Sequence, residues 1–201
     1  MRSSTSAVHH EQGIMPMPKQ QIHPSVEDLT AFSVGQLSPH QKLVLWIVRN
    51  YPESAAAGSH EAQFHAHIDP DGYVRAKNLW LQHAKTQDQN VTILRNAAKF
   101  FLLSDRDAAE GLLKRAQIVD PNNADVAQEL GHLYRLGLIR RGSKKERQKL
   151  AEKSMEQFEI ALEQDATANN YYLLAKLSTV AFEAGAIEKA KQICQSSAEN
   201  E

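Results

Sequence analysis

Residues 130–134 read Leu130-Gly131-His132-Leu133-Tyr134, and the stretch 34 residues earlier, Asn96-Ala97-Ala98-Lys99-Phe100, repeats the pattern with Ala for Gly and Phe for Tyr. Between the two lie Ala109, Leu113 and Ala116 at helical spacing, closed by Asp120-Pro121. Proline cannot continue a helix, so the second element of the unit stops there. Self-similarity at a period of this size marks helical hairpins that bury their apolar faces by stacking on one another. One whole unit spans about Asn90 to Asn123.

Outward from that unit the pattern continues with changes. The next begins near Ala124, and its second helix carries Ser154, Phe158 and Ala161, with Asp165-Ala166 in place of Asp-Pro. From Pro121 to Ala166 is 45 residues, 11 more than a 34-residue period. The surplus is Arg140-Arg141-Gly142-Ser143-Lys144-Lys145-Glu146-Arg147 with its flanks, expected to lengthen the turn. A third unit, from about Tyr171, offers Leu177, Phe182, the turn Ala184-Gly185-Ala186, then Ala190, Cys194 and Ser197. Ser178 stands at its glycine position, and such weakening suits a unit that ends an array.

These elements resemble the tetratricopeptide repeat, in which L-G-x-x-Y is followed by A-x-x-x-F-x-x-A and a proline; the resemblance covers about Asn90 to Ser197. It implies an all-α fold, a helix-turn-helix repeat array forming a short right-handed α-solenoid, here with an N-terminal helical extension. The packing positions it implies are Ala97, Phe100, Ala109, Leu113, Ala116, Pro121, Leu130, Gly131, Tyr134, Phe158, Ala161, Leu177 and Ala190. The glycine lets paired helices approach and the tyrosine fills the gap beside it. In the family the first helices of successive repeats line a concave groove that takes peptides or partner helices. Transferred by pattern, that groove comprises Leu94, Ala98, Phe101, Gln128, His132, Arg135, Ala175 and Thr179. Leu94 and Phe101 suit a core equally well, because large apolar residues are mostly buried; His132 and Arg135 suit exposure better. The family subgroup that clamps C-terminal carboxylates uses paired lysine and asparagine side chains. Gln128 and His132 stand in one such pair here, so that ligand is not carried over.

On the N-terminal side, residues 1–22 are rich in Ser, Gln, His and Pro without an apolar period, and read as a mobile tail. Ser25 to Gly35 reads as a short helix. Ser38-Pro39-His40-Gln41 places a cap, a first-turn proline and a capping-box glutamine before the apolar face Leu43, Trp46 and Ile47, predicting a helix over Pro39–Asn50 that ends at Tyr51-Pro52. Glu53 to Gly72 is expected as a long loop closed by the turn Asp69-Pro70-Asp71-Gly72. Ala76, Leu79, Trp80, His83 and Ala84 then predict a helix over Tyr73–Lys85. Residues 23–88 form a helical extension or degenerate capping repeat, and residues 89–201 the repeat domain with its insertion near 140–150. No stretch alternates with the period of a strand.

With 23 basic and 24 acidic residues the formal charge is −1, which removes the overall basic field that nucleic acid or anionic lipid requires. Only a local patch, Arg140, Arg141, Lys144, Lys145, Arg147 and Lys149, could meet phosphates. It reads first as a solvated loop and helix start and lacks aromatic residues for stacking, so nucleic-acid binding through 140–149 is the weaker alternative. The His-rich stretch 60–71 offers His65, His67 and Asp69 as an alternative divalent-metal set. An ordinary polar surface loop is favoured, and no cofactor is expected. No G-x-S-x-G, phosphate-cradling glycine loop or H-E-x-x-H occurs, so no enzyme is expected. The single cysteine, Cys194, excludes a disulfide framework and reads as a small apolar filler. The first residues lack the apolar core of a secretory signal and no later run reaches membrane-spanning length, which makes a soluble, cytoplasmic location the default expectation. The whole reads as a non-catalytic scaffold for a peptide, a partner protein or a second copy of itself.

Overall fold

The structure, a computed structural model, describes residues 37–138, 143–164, 177, 179–183 and 185–198. The tail, the helix expected at Ser25 to Gly35, Arg140, Arg141 and Ala175 lie outside them. The described elements are α1 (Pro39–Asn50), a 3-10 turn (His60–Ala62), α2 (Pro70–Thr86), α3 (Val91–Phe101), α4 (Arg106–Val119), α5 (Ala124–Leu138), α6 (Lys144–Gln164) and α7 (Ile187–Ala198), with helical residues also at 179–183. The described residues contain no strand. Each helix packs on its neighbour in sequence order, the arrangement of a helical repeat array.

From α1 to α6 every helix starts on a side-chain oxygen that accepts an otherwise unpaired first-turn N–H. The caps are Ser38, Asp69, Asn90, Asp105, Asn123 and Ser143. Ser38 and Gln41 form the expected reciprocal box, Gln41 N–H donating to Ser38 Oγ at 3.2 Å and Ser38 N–H to Gln41 Oε1 at 2.6 Å, and α1 has the expected bounds.

Asp69-Pro70-Asp71-Gly72, expected to close a loop, instead opens a helix. Asp69 caps the Gly72 N–H at 3.0 Å and Pro70 takes the first turn, where its missing N–H costs nothing, so α2 begins at Pro70 and runs to Thr86. The connection before it is partly core, burying Ala57, Ala62 and Phe64. Asn96 of α3 is buried and donates through Nδ2 to the carbonyls of Pro52, at 2.9 Å, and Ser54, at 3.2 Å. A second correction concerns the surplus residues. From Ser143 on, the described part of them starts a helix and is not a turn, because Ser143 and Glu146 form a capping box and the run that follows is made of good helix formers. The 21-residue α6 results, with residues 143–149 exposed and Ala151 its first buried position.

Alternate helices run parallel. Tyr73 Oη donates to Ser104 Oγ at 3.0 Å near the start of α2 and α4, and Arg115 donates to the Ala84 carbonyl at 2.8 Å near their ends. Both links span 31 residues, so the two helices keep register along their length. The core lies between this layer and α1, α3 and α5, filled by Leu45, Trp80, Ile93, Leu94, Phe101, Leu130 and Leu133. A second cluster gathers Ala127, Ala151, Ala161, Leu177 and Val180 around Phe158. The Phe158 ring lies against Gly131, where an added Cβ would come within 2.9 Å, and Ser154 Oγ donates to the Gly131 carbonyl at 2.8 Å. Ala97, Phe100, Ala109, Leu113, Ala116, Leu130, Gly131, Tyr134, Phe158, Ala161, Leu177 and Ala190 are all buried. Pro121 is exposed in the turn after α4, where its carbonyl accepts from Gln164 at 2.7 Å, and Phe182 is 67% exposed rather than packed.

Candidate functional site

Two lines of side chains join α3 to α5. Arg95 meets Glu129 and Asp125, each at 2.9 Å, and Lys99 reaches Glu129 at 3.3 Å. Burial alone would lower the pKa of Arg95, but hydrogen bonds and charges from Glu129 and Asp125 raise it above its ordinary value, fixing the guanidinium as a cation. Beside this network a cavity of about 370 Å³ opens between the two helices. Ala98, Lys99 and Leu102 line it from α3 and its C-cap, Leu113 from α4, and Glu129, His132, Arg135 and Leu136 from α5. Ala98 with His132 and Leu102 with Leu136 are pairs 34 residues apart, so equivalent positions of consecutive units face one space. The His132 ring stands edge-on to Phe158 with centroids 5.2 Å apart, and Arg135 pairs with Glu183 at 3.3 Å.

Of the groove residues inferred from sequence, Ala98, His132 and Arg135 share this cavity. Leu94 and Phe101 do not: both are fully buried in the core, on the side of α3 that other helices cover. Gln128 is half-buried on α5 away from the cavity lining, and Thr179 is exposed. Sequence reasoning missed Lys99, Leu102, Leu113, Glu129 and Leu136. The same 34-residue step that links Ala98 to His132 leads from Leu102 to Leu136 and was the available signal.

A larger cavity, about 700 Å³, lies where the starts of α4 and α6 meet the C-terminal half of α5. Tyr134 is central to it. Its hydroxyl donates to Glu110 Oε1 at 2.9 Å and Lys153 Nζ sits 4.8 Å from its ring centroid. Burial and the Glu110 carboxylate push the tyrosine pKa strongly up. Burial would also raise Glu110, but bonds from Lys114 and Tyr134 and the Lys153 charge hold its carboxyl below the ordinary value. Arg106 donates to the Leu133 carbonyl across the same space. The polar groups of Tyr134, Glu110 and Lys153 are thus engaged with one another.

The His-rich loop does not form a ligand set. His65 and His67 are exposed, while Asp69 is engaged by the Gly72 N–H and the Gln41 side chain. Among the described residues no group of three or more His, Cys, Asp or Glu could hold a metal ion, and no helix is long and apolar enough to cross a membrane. A scan against protein-family models finds no match to the chain, and a search of curated proteins finds none.

Proposed function

We propose that this chain is a non-catalytic interaction module of the tetratricopeptide-like kind, holding a peptide or a segment of a partner protein in the groove between α3 and α5. One observation carries the reading: two residue pairs at the repeat spacing, Ala98 with His132 and Leu102 with Leu136, face a single carbon-lined cavity rimmed by Lys99, Glu129 and Arg135. A cavity of about 370 Å³ suits one or two apolar side chains. The polar rim would fix their orientation, as in binding sites where a few polar groups set specificity within apolar walls.

The test is selection from a displayed peptide library on the parent chain, with counter-selection on Arg135→Glu combined with Leu102→Gln. Both positions line the cavity. Peptides enriched by the parent and lost by the variant are the expected result. Enrichment of the same peptides by both proteins, or of none by either, would remove the groove from consideration.

A further inference from the structure

The outward side of the α2 and α4 layer carries a pattern with a two-fold symmetry of its own. Of the seven large apolar residues exposed among the described residues, four belong to this side: Val74 and Leu81 on α2, Leu103 in the turn before α4 and Ile118 near its end. On α4, Asp107, Gly111, Lys114 and Ile118 are exposed at helical spacing, opposite the buried Ala109, Leu112, Leu113 and Ala116. Gly111 sits in the middle of the strip, and nothing lies within 4 Å of a Cβ added there. A glycine inside a helix weakens it, and this one relieves no contact within the chain. What it provides is room for another backbone to come close.

Counted outward from Gly111, the strip is complementary to its own reverse. Asp107 stands four residues before it and Arg115 four after, about 6 Å along the helix axis on either side. Leu103 stands eight before and Ile118 seven after. Two such helices laid antiparallel, glycine against glycine, bring Asp107 of each level with Arg115 of the other, and Leu103 of each within one residue of Ile118. That is the condition for an isologous contact, in which residue i meets j and j meets i. Asp107 and Arg115 are exposed, and among the described residues neither forms an ion pair within the chain. Arg115 donates to the neutral Ala84 carbonyl at 2.8 Å, which leaves its charge uncompensated, whereas Lys114 is paired with Glu110 at 2.7 Å. Asp71, Lys77 and Lys85 of α2 complete a face that holds both signs, and a face of one sign would repel its own copy. The 31-residue register between α2 and α4 places the exposed Leu81 within one residue of the level of Gly111, beside the same centre.

We infer that a second copy of the chain docks on this face, α4 against α4 and antiparallel about Gly111, with the two α2 helices packed beside them. Two helices about 25 Å long and about 10 Å wide cover about 500 Å² per copy. The total of about 1,000 Å² is at the low end for specific association, so the dimer is weak and depends on concentration. The cavity between α3 and α5 belongs to the other layer and stays open in both copies, so the inference stands apart from the peptide reading.

The experiment is sedimentation velocity of the full chain over a concentration series, beside Asp107→Arg, Arg115→Asp, Ile118→Gln and Gly111→Gln, with circular dichroism to check each fold. The parent is expected to pass from monomer to dimer as concentration rises. Each charge reversal sets like charges against one another at both contacts and is expected to weaken dimerisation about tenfold or more. An equimolar mixture of the two reversals is expected to dimerise as the parent does, because one contact then joins the two native residues and the other the two reversed ones. Ile118 is 78% exposed and Gly111 faces open space, so the glutamine variants keep the fold; both are expected to weaken the dimer and decide the matter if a charge reversal disturbs folding. A parent that stays monomeric, a dimer that the charge reversals or both glutamine variants leave intact, or a mixture that associates no better than its components would each overturn the inference.

Discussion

Arg95 and Glu129, 34 residues apart on the first helices of consecutive units, hold one another in a forked ion pair: Nη2 lies 2.9 Å from Oε1 and Nε 3.2 Å from both oxygens. Their side chains are only 20% and 17% exposed, so water screens the pair less than it screens a surface bridge. A double-mutant cycle with Arg95→Ala and Glu129→Ala, read by urea unfolding, should give a coupling energy of about 1 kcal/mol. A coupling indistinguishable from zero would mean that the units do not meet through these residues in solution.

Two glycines should respond oppositely to a side chain. At Gly131 an added Cβ meets the Phe158 ring, while at Gly111 in α4 nothing lies within 4 Å. Gly131→Leu should lower stability by about 2 kcal/mol or more through overpacking, and the melting temperature by about 5 °C. Gly111→Ala should raise stability by roughly 0.5–1 kcal/mol, the ordinary gain of replacing glycine inside a helix. Thermal unfolding of the two single variants checks both signs.

Acid should weaken the α1–α2 pair through His83. Burial lowers its pKa from the ordinary 6.5, opposed in part by a hydrogen bond to the Val48 backbone. The unfolded chain then takes up the proton more readily than the folded one. The stability contribution is full above about pH 6.5 and declines as pH falls below it toward the lowered folded value. Melting temperatures measured from pH 7.5 to 5.5 should fall more steeply in the parent than in His83→Gln. Parallel profiles would show that His83 does not couple to folding.

What the sequence disclosed was whatever is decided locally. Ser38, Pro39 and Gln41 are enough to start α1, whose bounds match the expectation, and the small residue Gly131 does lie where the Phe158 ring comes close. Asp69-Pro70-Asp71-Gly72 was misread because the same four residues serve a turn or a helix start; in the structure Asp69 caps the Gly72 N–H and its other oxygen accepts from Gln41, far away in the chain. The first turns of α6 were misread because they carry no apolar face, and periodicity has nothing to register there. The cavity between α3 and α5 was legible in spacing but not in depth. Pattern assigns Leu94 and Phe101 to helix α3, but only the packed second layer decides that they face inward while Ala98 and Leu102 line the cavity.

The amide of Asn96 makes the first helical hairpin and the unit after it inseparable pieces for protein engineering. Besides its own turns, the connection between α1 and α2 is tied at the Pro52 and Ser54 carbonyls by a residue of α3. A fragment cut between Thr86 and Val91 would take the Asn96 donor from the Pro52 and Ser54 carbonyls, the second of which keeps the Gly58 N–H, and would leave a buried amide without these acceptors on the other side. Truncations and domain swaps of this chain should therefore keep residues 37–119 as one block.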